Sequence, residues 1–264
     1  MIYICKMDIK NKIFHKTSES MDELPDNSID LIVTSPPYNI NIKYGNKWSD
    51  RKIKGSKSIK YKDDLNEEKY FEMIEKVCKE CKRVLKKNGT IFFNLKNRLI
   101  NDEIKPPFWI IEFFKGLFLK NIIIWNFDWG GSTSKRFSSR YEYVFFFSKD
   151  KKNWTFNLDD ISIPSVNFRP DRYKTQYKNP SDVWKIPLVS GNSVERTGHP
   201  AQFPEKLIER IILSVTNKND LVLDPFMGSG TTAKVAKQNG RNYIGYEINS
   251  EYIKMTKERL KKVE

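Results

Sequence analysis

The residue types that could do chemistry in this chain of 264 residues fall in two segments, and one is the run Ser-Pro-Pro-Tyr at residues 35–38. The Ser35 hydroxyl and the Pro36 carbonyl can accept the two hydrogens of a planar amine, and the Tyr38 ring offers a flat face for stacking. The same run could instead be a proline-rich strand end without a chemical role, because short motifs also match by chance. Other parts of the chain have to decide between these interpretations.

A short buried strand brings this run to the edge of a sheet. Residues 29–34 are mostly apolar, which is typical of a strand in the interior of a parallel sheet. Neither Pro36 nor Pro37 can donate a backbone hydrogen bond, so strand pairing must stop there. Open α/β sheets bind their ligands at the carboxyl ends of strands, and the sequence therefore predicts a ligand site at residues 35–38.

The second segment is a glycine turn at residues 224–232, Asp-Pro-Phe-Met-Gly-Ser-Gly-Thr-Thr, between a predicted strand and a predicted helix. Backbone N–H groups in such a turn can bind a polar ligand, and Gly228 and Gly230 allow its close approach. No lysine follows the glycines, so the turn is not a phosphate-binding P-loop. Glu247 ends the next predicted strand, near the spacing at which an acidic side chain binds ribose. Together they predict a nucleoside ligand without a polyphosphate, whereas the turn alone could simply connect strand and helix.

Strands and helices alternate along most of the chain, which indicates an α/β fold. Further strands are predicted at residues 12–15, 90–95, 121–127, 141–148, 221–223 and 242–246. Helices are predicted from Asn66 to about Gly89, over 106–119, from Pro204 to Val215, from 231 to about 239, and after Asn249. We expect one domain over residues 1–264, a doubly wound, mostly parallel sheet with a small recognition insertion.

The net charge of +14 indicates a polyanionic partner, although a lysine-rich composition can also reflect an AT-rich genome. The charge is concentrated in two irregular stretches in which basic residues alternate with aromatic ones, at 41–64 and 150–198. This mixture suits a nucleic-acid backbone and unstacked bases, while a solvated lysine-rich loop is the alternative for residues 41–64. The basic residues predicted to contact the nucleic acid are Lys43, Lys47, Arg51, Lys52, Arg169, Arg172 and Lys174.

Composition also argues against several classes of protein. Three cysteines are too few for a disulfide framework, and Cys78 and Cys81 lie on the apolar face of a predicted helix. They are expected to be buried thiols, without a metal or redox role. The start of the chain lacks the features of a signal peptide, and its apolar stretches are too short to span a bilayer. We therefore expect a cytoplasmic protein with no membrane partner.

Three motifs in this chain resemble those of one enzyme family. Thr-Ser-Pro-Pro-Tyr-Asn at 34–39, His-Pro-Ala-Gln-Phe-Pro at 199–204 and the glycine turn are similar to the motifs of DNA amino-methyltransferases that use S-adenosylmethionine. Their order is that of the β group, with the catalytic motif ahead of the cofactor motif. The resemblance covers nearly the whole chain and implies a Rossmann-like methyltransferase fold with a circularly permuted motif order.

The resemblance also implies roles for individual residues. The residues expected to hold the flipped base are Ser35, Pro36, Pro37 and Tyr38. Those expected to bind S-adenosylmethionine are Pro200, Ala201, Phe203, Asp224, Phe226, Gly228, Ser229, Gly230, Thr231, Thr232 and Glu247. Segment 150–198 would be the target-recognition region, and residues 140–143, Arg-Tyr-Glu-Tyr, would be structural or line the base pocket. Where many relatives carry Gly-Asp to contact the cofactor adenine, this chain has His-Lys-Thr-Ser at 15–18, so that contact is not assigned.

The expected reaction is direct methyl transfer to an exocyclic amine of duplex DNA, in a restriction-modification system with an endonuclease as a further partner. No cysteine occurs in a catalytic-loop pattern, which argues against covalent attack on the ring. In the family, serine at the motif's first position is associated mostly with cytosine N4 and aspartate or asparagine with adenine N6. Ser35 therefore favours cytosine N4 over adenine N6. RNA methylation and a non-catalytic DNA-binding role are also compatible with parts of the pattern.

Overall fold

A computed structural model gives the structure of residues 9–40, 64–130, 132–166, 169–172, 174–190 and 193–263. The strands are β1 (Lys12–Phe14), β2 (Ile29–Thr34), β3 (Leu85–Leu95), β4 (Arg98–Ile100), β5 (Glu103–Lys105), β6 (Phe118–Asn126), β7 (Tyr141–Ser148), β8 (Ile163–Pro164), β9 (Tyr177–Lys178), β10 (Val183–Lys185), β11 (Leu221–Asp224) and β12 (Asn242–Tyr246). The α-helices are α1 (Glu67–Val84), α2 (Ile110–Phe113), α3 (Leu158–Ile161), α4 (Glu205–Val215), α5 (Thr231–Gln238) and α6 (Ser250–Lys261).

An eight-stranded sheet in the order β1-β12-β11-β2-β3-β7-β6-β10 forms the centre of the molecule. All neighbouring strands in it are parallel except β7, which is antiparallel to both β3 and β6. Successive residues of β2 face opposite sides: Ile32 packs in the core with α1 and α2, and Leu31 packs in the core with α4 and α5. Helices therefore cover both faces, which confirms the predicted doubly wound, mostly parallel sheet.

The chain changes direction across the sheet between two adjacent strands. From β2, helix α1 leads to β3 on one side, and from β11, helix α5 leads to β12 on the other. Strands β2 and β11 pair in parallel, with Leu31 opposite Val222 and Ile32 opposite Leu223. Such a reversal leaves an open crevice at the carboxyl ends of the two strands, where α/β proteins bind ligands. Both segments singled out by the sequence leave the sheet at this crevice.

The boundaries of several elements agree with the sequence, but helix α1 ends earlier than predicted. Asn66 caps its start by accepting a hydrogen bond from the Glu68 backbone N–H. The prediction placed its end at Gly89, whereas the helix stops at Val84 because Leu85 is extended and pairs with Ile29 of β2. The register shifts between this pair and the pair of Leu31 with Thr90, so residues 86–89 bulge from β3.

The helix predicted over residues 106–119 is mostly absent. Only a 3₁₀ turn at Pro107–Trp109 and the single-turn helix α2 form there. Gly116 then adopts a φ of 94°, and Phe118 and Leu119 pair with the end of β7. The helical spacing of the apolar residues was misleading, because strand pairing at the sheet overrides a weak local preference.

Segment 150–198 is more regular than its composition indicates. Residues Val183–Lys185 form β10, which extends the central sheet as an edge strand with Trp184 opposite Trp125. The segment also contains α3 and the two-residue pair β8 and β9. Part of the stretch is thus built into the main sheet, and its assignment as a target-recognition region stays a prediction.

Candidate active site

The crevice between β2 and β11 is a cleft of about 560 Å³, a volume in the range of small-molecule sites. The carboxyl end of β2 contributes Ser35, Pro36, Pro37 and Tyr38 to its lining. From the β11 side it is lined by Phe226 and Gly228 of the glycine turn, together with Glu247 at the end of β12. The structure thus brings the two segments that the sequence singled out together in one cleft.

Ser35 and Tyr38 belong to a hydrogen-bonded group that includes two residues from the neighbouring strands. The hydroxyls of Ser35 and Tyr38 lie 2.7 Å apart, and the Tyr38 hydroxyl donates to Glu142 Oε2 of β7 at 2.8 Å. The side-chain amide of Asn94, in β3, donates to the Tyr38 oxygen at 2.5 Å and to Glu142 Oε2 at 2.6 Å. Burial and the Glu142 carboxylate raise the pKa of Tyr38 well above its ordinary value, so the phenol stays protonated.

Sequence reasoning missed Asn94 and assigned Glu142 no specific role. Both lie far along the chain from Tyr38, and nothing local indicates the contact. The available signal was a pair of polar residues in strands that are otherwise apolar, because a buried polar side chain needs a hydrogen-bond partner.

The Asp224 carboxylate connects the end of β2 with the glycine turn by hydrogen bonds. It is buried and accepts hydrogen bonds from Thr34 Oγ1 at 2.6 Å, from Thr232 Oγ1 at 2.7 Å and from the Phe226 backbone N–H at 3.1 Å. Burial raises the pKa of Asp224, while these three bonds favour its charged form. The end of β2 and the start of the glycine turn are thus held at a fixed separation.

Pro225, Phe226 and Gly228 of the glycine turn line the large cleft, and the backbone N–H groups of residues 226–228 and 230 bond to protein acceptors. Gly228 and Gly230 have φ values of 51° and 74°, and a Cβ on Gly230 would lie 2.2 Å from Thr256 Cγ2 of α6. Ser229, Thr231 and Thr232 are buried with Asp224 around a small adjoining cavity of about 40 Å³, which Phe203 and Ser35 also line. Gly230 packs against α6. It is absent from the lining of both cavities, as the described residues form them.

Glu247 lines the cleft beside the glycine turn. Its carboxylate accepts hydrogen bonds from the Gly228 and Asn249 backbone N–H groups, each at 2.8 Å. Burial raises the pKa of Glu247. A carboxylate has about four lone-pair sites, so these two bonds leave capacity for two ligand hydroxyls.

The segment at 199–203 lies against the glycine turn, where a Cβ on Gly228 would come within 2.8 Å of His199 Nε2. Its His199, Pro200 and Ala201 line the cleft, and the His199 ring packs on Tyr252 at 4.4 Å between centroids. Nδ1 of His199 accepts from the Ala201 backbone N–H at 3.2 Å, and burial lowers the pKa of His199 to about 4. The imidazole is therefore neutral at pH 7 and carries its proton on Nε2.

Residues 16–19, where many relatives would carry Gly-Asp, line a further side of the cleft together with Lys69, Glu72, Met73 and Lys76 of α1. Lys16 pairs with Glu23 at 2.9 Å, and Glu23 in turn accepts from the Tyr246 hydroxyl at 3.1 Å. Ser18 lines the cleft, and its Oγ is buried with no hydrogen-bond partner in the described parts of the chain. An unsatisfied hydroxyl at the edge of the cleft fits a polar ligand.

The other predicted residues lie away from the cleft. Arg169, Arg172 and Lys174 are exposed, and Arg169 pairs with Asp171 at 2.8 Å. Lys43, Lys47, Arg51 and Lys52 lie outside the described residues, as does most of the predicted loop at 41–64. Cys78 and Cys81 are buried, unpaired thiols in α1, as predicted. Within the described ranges, no cluster of residues could hold a metal ion, and no helix is long and apolar enough to cross a membrane.

Comparison with curated proteins gives matches over nearly the whole chain. The family model described as DNA methylase matches residues 29–258. The chain is 38% identical over 260 residues to the type II methyltransferase M.BglII of Bacillus subtilis, covering 92% of this chain and 67% of that protein. It is also 38% identical over 252 residues to the DNA adenine methyltransferase YhdJ of Escherichia coli (strain K12), covering 91% and 79%.

Solved structures agree with these matches. A PvuII DNA methyltransferase described as cytosine-N4-specific superposes with a TM-score of 0.69 at 21% identity, covering 95% of this chain and 86% of that one, which shows the shared fold. A complex of M1.HpyAVI with SAM gives a TM-score of 0.62 at 26% identity and covers 94% and 98%. The resemblance, the fold and S-adenosylmethionine as cofactor are thereby confirmed. The chain belongs to the DNA methylase family, the S-adenosylmethionine-dependent enzymes that methylate exocyclic amines of DNA bases in restriction-modification systems.

Proposed function

We propose that this protein methylates the N4 amine of a cytosine flipped out of duplex DNA. The observation that carries the proposal is that Ser35 and Gly228 line one cleft, with the Asp224 carboxylate linking the strand ends that bear them. Ser35 decides the base, because serine at this position accompanies cytosine N4 methylation in most of the family that the sequence resembles.

In this proposal the target amine is held by acceptors alone. Ser35 Oγ and the Pro36 carbonyl accept its two hydrogens, which draws the nitrogen toward tetrahedral geometry and frees its lone pair. Pro37 keeps the segment stiff, so the geometry does not relax, and orientation supplies most of the rate enhancement. Flipping the base costs a few kcal/mol, which stacking on the Tyr38 ring and contacts in the pocket offset.

S-Adenosylmethionine supplies an electrophilic methyl group on a sulfonium centre. The residues proposed to hold it are Pro200, Ala201, Phe203, Asp224, Phe226, Gly228, Ser229, Gly230, Thr231, Thr232 and Glu247. Glu247 accepts the ribose hydroxyls with the capacity left by its two backbone bonds. Asp224, Gly230, Thr231 and Thr232 act by fixing the shape of the turn, since Gly230 packs against α6 and the polar atoms of the other three bond to protein groups. Ser18 is a further candidate to contact the cofactor base.

Adenine N6 is the second candidate, and similarity to the DNA adenine methyltransferase YhdJ favours it. The test is to incubate the purified protein with duplex DNA and labelled cofactor, digest the product and separate the nucleosides. N4-methylcytosine is the expected product. Label in N6-methyladenine alone would refute the choice of base, and Ser35→Ala provides the control for contaminating activity.

RNA methylation and a non-catalytic DNA-binding role can be separated in the same assay. Methyl transfer to RNA or free nucleoside in preference to duplex DNA would contradict the proposed substrate. A non-catalytic DNA-binding role requires DNA affinity without label in any nucleoside. We expect transfer to duplex DNA only, because the exposed basic residues beyond the cleft suit a long polyanion.

We also propose that Arg169, Arg172 and Lys174 contact DNA from the target-recognition region. Substituting all three with glutamine should weaken DNA binding and reduce the slope of log affinity against log salt by about one per contact. Lys79→Gln on α1 is the control, because Lys79 is exposed and lies outside segment 150–198. Equal slopes for all these variants would contradict the assignment. A partner endonuclease for the same DNA site and a cytoplasmic location stay predictions.

A further inference from the structure

Glu142 has no assigned role, yet it lies at the end of the hydrogen-bonded chain that begins at Ser35. The chain runs from Ser35 Oγ to Tyr38 Oη at 2.7 Å and from there to Glu142 Oε2 at 2.8 Å. Glu142 is half-buried, at the second residue of β7, opposite Trp125 of β6. The amide of Asn94, which is 2% exposed, bonds to both Tyr38 and Glu142.

The direction of every proton in this chain follows from Glu142. An ionised carboxylate only accepts, so the Tyr38 hydroxyl must donate to it. The Asn94 nitrogen must face the carboxylate, because the amide oxygen at 2.6 Å would be repelled, and its two hydrogens go to Glu142 and to the Tyr38 oxygen. The Tyr38 hydroxyl therefore donates to Glu142 and accepts a hydrogen bond from Asn94. The remaining lone pair of its oxygen accepts a hydrogen bond from Ser35.

The consequence for Ser35 is that its single proton is committed to Tyr38. Asn94 Nδ2 also approaches Ser35 Oγ at 3.4 Å, as the weak arm of a shared hydrogen bond, so at least one Ser35 lone pair is left for another partner. Since Ser35 lines the cleft, it presents an acceptor there, which an exocyclic amine requires. With neutral glutamine at 142, the amide could donate to Tyr38, and the order of protons would no longer be fixed.

We propose that Glu142 is a positioning residue that fixes Ser35 as an acceptor and, through Tyr38, takes up the proton that methylation releases. The amine nitrogen uses its lone pair to form the N–C bond, the electron pair of the broken bond leaves with the donor, and the nitrogen is left positively charged with two hydrogens. One proton passes to Ser35 Oγ as the Ser35 proton passes to Tyr38 Oη and the Tyr38 proton to Glu142 Oε2. The products are a neutral methylated amine and a protonated carboxyl.

The inference rests on the proposed methylation of an exocyclic amine and applies to either base. It is tested by single-turnover methyl transfer to duplex DNA with Glu142→Gln, Tyr38→Phe and the double variant. Each single substitution should lower the rate by about 100-fold, the size of a general acid–base contribution. The double variant should be no slower than the slower single one, because both residues act in one chain.

Two further measurements separate this role from a structural one. Dissociation constants for S-adenosylhomocysteine and for DNA should change less than about threefold, and the wild-type rate should fall in D₂O while the Glu142→Gln rate should not. Glu142→Asp, which keeps the charge, should recover part of the rate. Glu112→Gln, an exposed carboxylate on α2, is the matched control and should behave as wild type.

The outcomes distinguish the inference from the proposed function. Suppose that the wild-type protein transfers methyl groups to DNA, and that the Glu142→Gln and Tyr38→Phe variants are nearly as fast. The proposed proton transfer through Tyr38 to Glu142 is then wrong, and the proposed function stands. Multiplicative effects in the double variant, or an equal D₂O effect in Glu142→Gln, would also overturn it. If the wild-type protein modifies no DNA base, both are wrong. Tyr38→Phe removes a single oxygen and keeps the inference testable even if Glu142→Gln fails to fold.

Discussion

The two sides of the cleft are built in different ways. On the base side, residues 35–38, the polar groups of Ser35 and Tyr38 line the cleft and bond to side chains of β3 and β7. On the donor side, residues 225–232, Ser229 and Thr231 are buried under the turn and bond to Arg259 of α6. The base side thus offers polar side chains to a ligand, while the polar side chains of the donor side bond to protein groups.

Because of this difference, substitutions on the two sides should affect different properties, the reaction rate on one side and the stability of the fold on the other. A side chain on the base side can lose its polar atom without leaving a void in the core. A change on the donor side alters the packing of α6 against the turn, where a Cβ on Gly230 would overlap Thr256. Substitutions on the donor side should therefore first destabilise the fold, and those on the base side should first slow the reaction.

The largest effect is expected for Gly230→Ala. A positive φ costs alanine about 1 kcal/mol, and overpacking against Thr256 adds up to about 3 kcal/mol, so the free energy of unfolding should fall by about 4 kcal/mol. Denaturant titration measures it. Gly240→Ala is the matched control: its φ of 73° is nearly the same, but the added Cβ would meet only Lys218 at 3.8 Å. Equal losses in the two variants would show that the packing of the turn against α6 does not matter.

The next effect is a dependence of stability on pH that originates in His199. Burial lowers its pKa from 6.5 to about 4, so between these values the unfolded chain holds a proton that the folded chain does not. Stability is fully present above pH 6.5 and is lost as the pH falls to 4, by on the order of 3 kcal/mol. The free energy of unfolding of the wild-type protein and of His199→Gln should be measured across this pH interval. The slopes of the two free energies against pH should differ by the equivalent of up to one bound proton.

The chain contains one other histidine, which provides the control for this prediction. His15 is exposed, and His15→Gln is the matched substitution with which the slope of His199→Gln is compared. If His199→Gln kept the wild-type slope, that slope would have to come from carboxylates whose pKa the fold lowers, such as Glu80 beside Arg83. Glu247 and Asp224 cannot supply it, because burial raises the pKa of each and favours the folded state at lower pH.

Ser35→Ala tests the base side. Loss of the hydroxyl should lower the single-turnover rate by about 100-fold, equivalent to about 2.7 kcal/mol, because one of the two acceptors for the amine is gone. The free energy of unfolding should change by less than about 1 kcal/mol, since Ser35 is only partly buried. A variant that loses stability in proportion to its activity would remove the distinction between the two sides.

The sequence predicted those parts of the molecule that depend on local signals. Strands β2 and β12 have the expected bounds because Pro36 stops one and Glu247 follows the other at the sheet edge. Neither local rule nor motif could give the partner of Tyr38, because Glu142 and Asn94 are 104 and 56 residues away. Residues 106–119 were predicted wrongly because their helical spacing is a local feature, and strand pairing with β7 decided the outcome.

The smallest effect concerns the residue that connects the two sides. Thr34→Val keeps the shape of the side chain but removes the 2.6 Å bond to Asp224, leaving the carboxylate its bonds from Thr232 and the Phe226 N–H. A hydrogen bond to a buried charge contributes about 1.5 kcal/mol, so stability should fall by that amount. Thr90→Val is the control: its buried hydroxyl has no partner among the described residues, and its loss should be neutral or stabilising. If both substitutions had the same cost, the link through Asp224 would contribute nothing, and the two sides of the cleft would be held only by the pairing of β2 with β11.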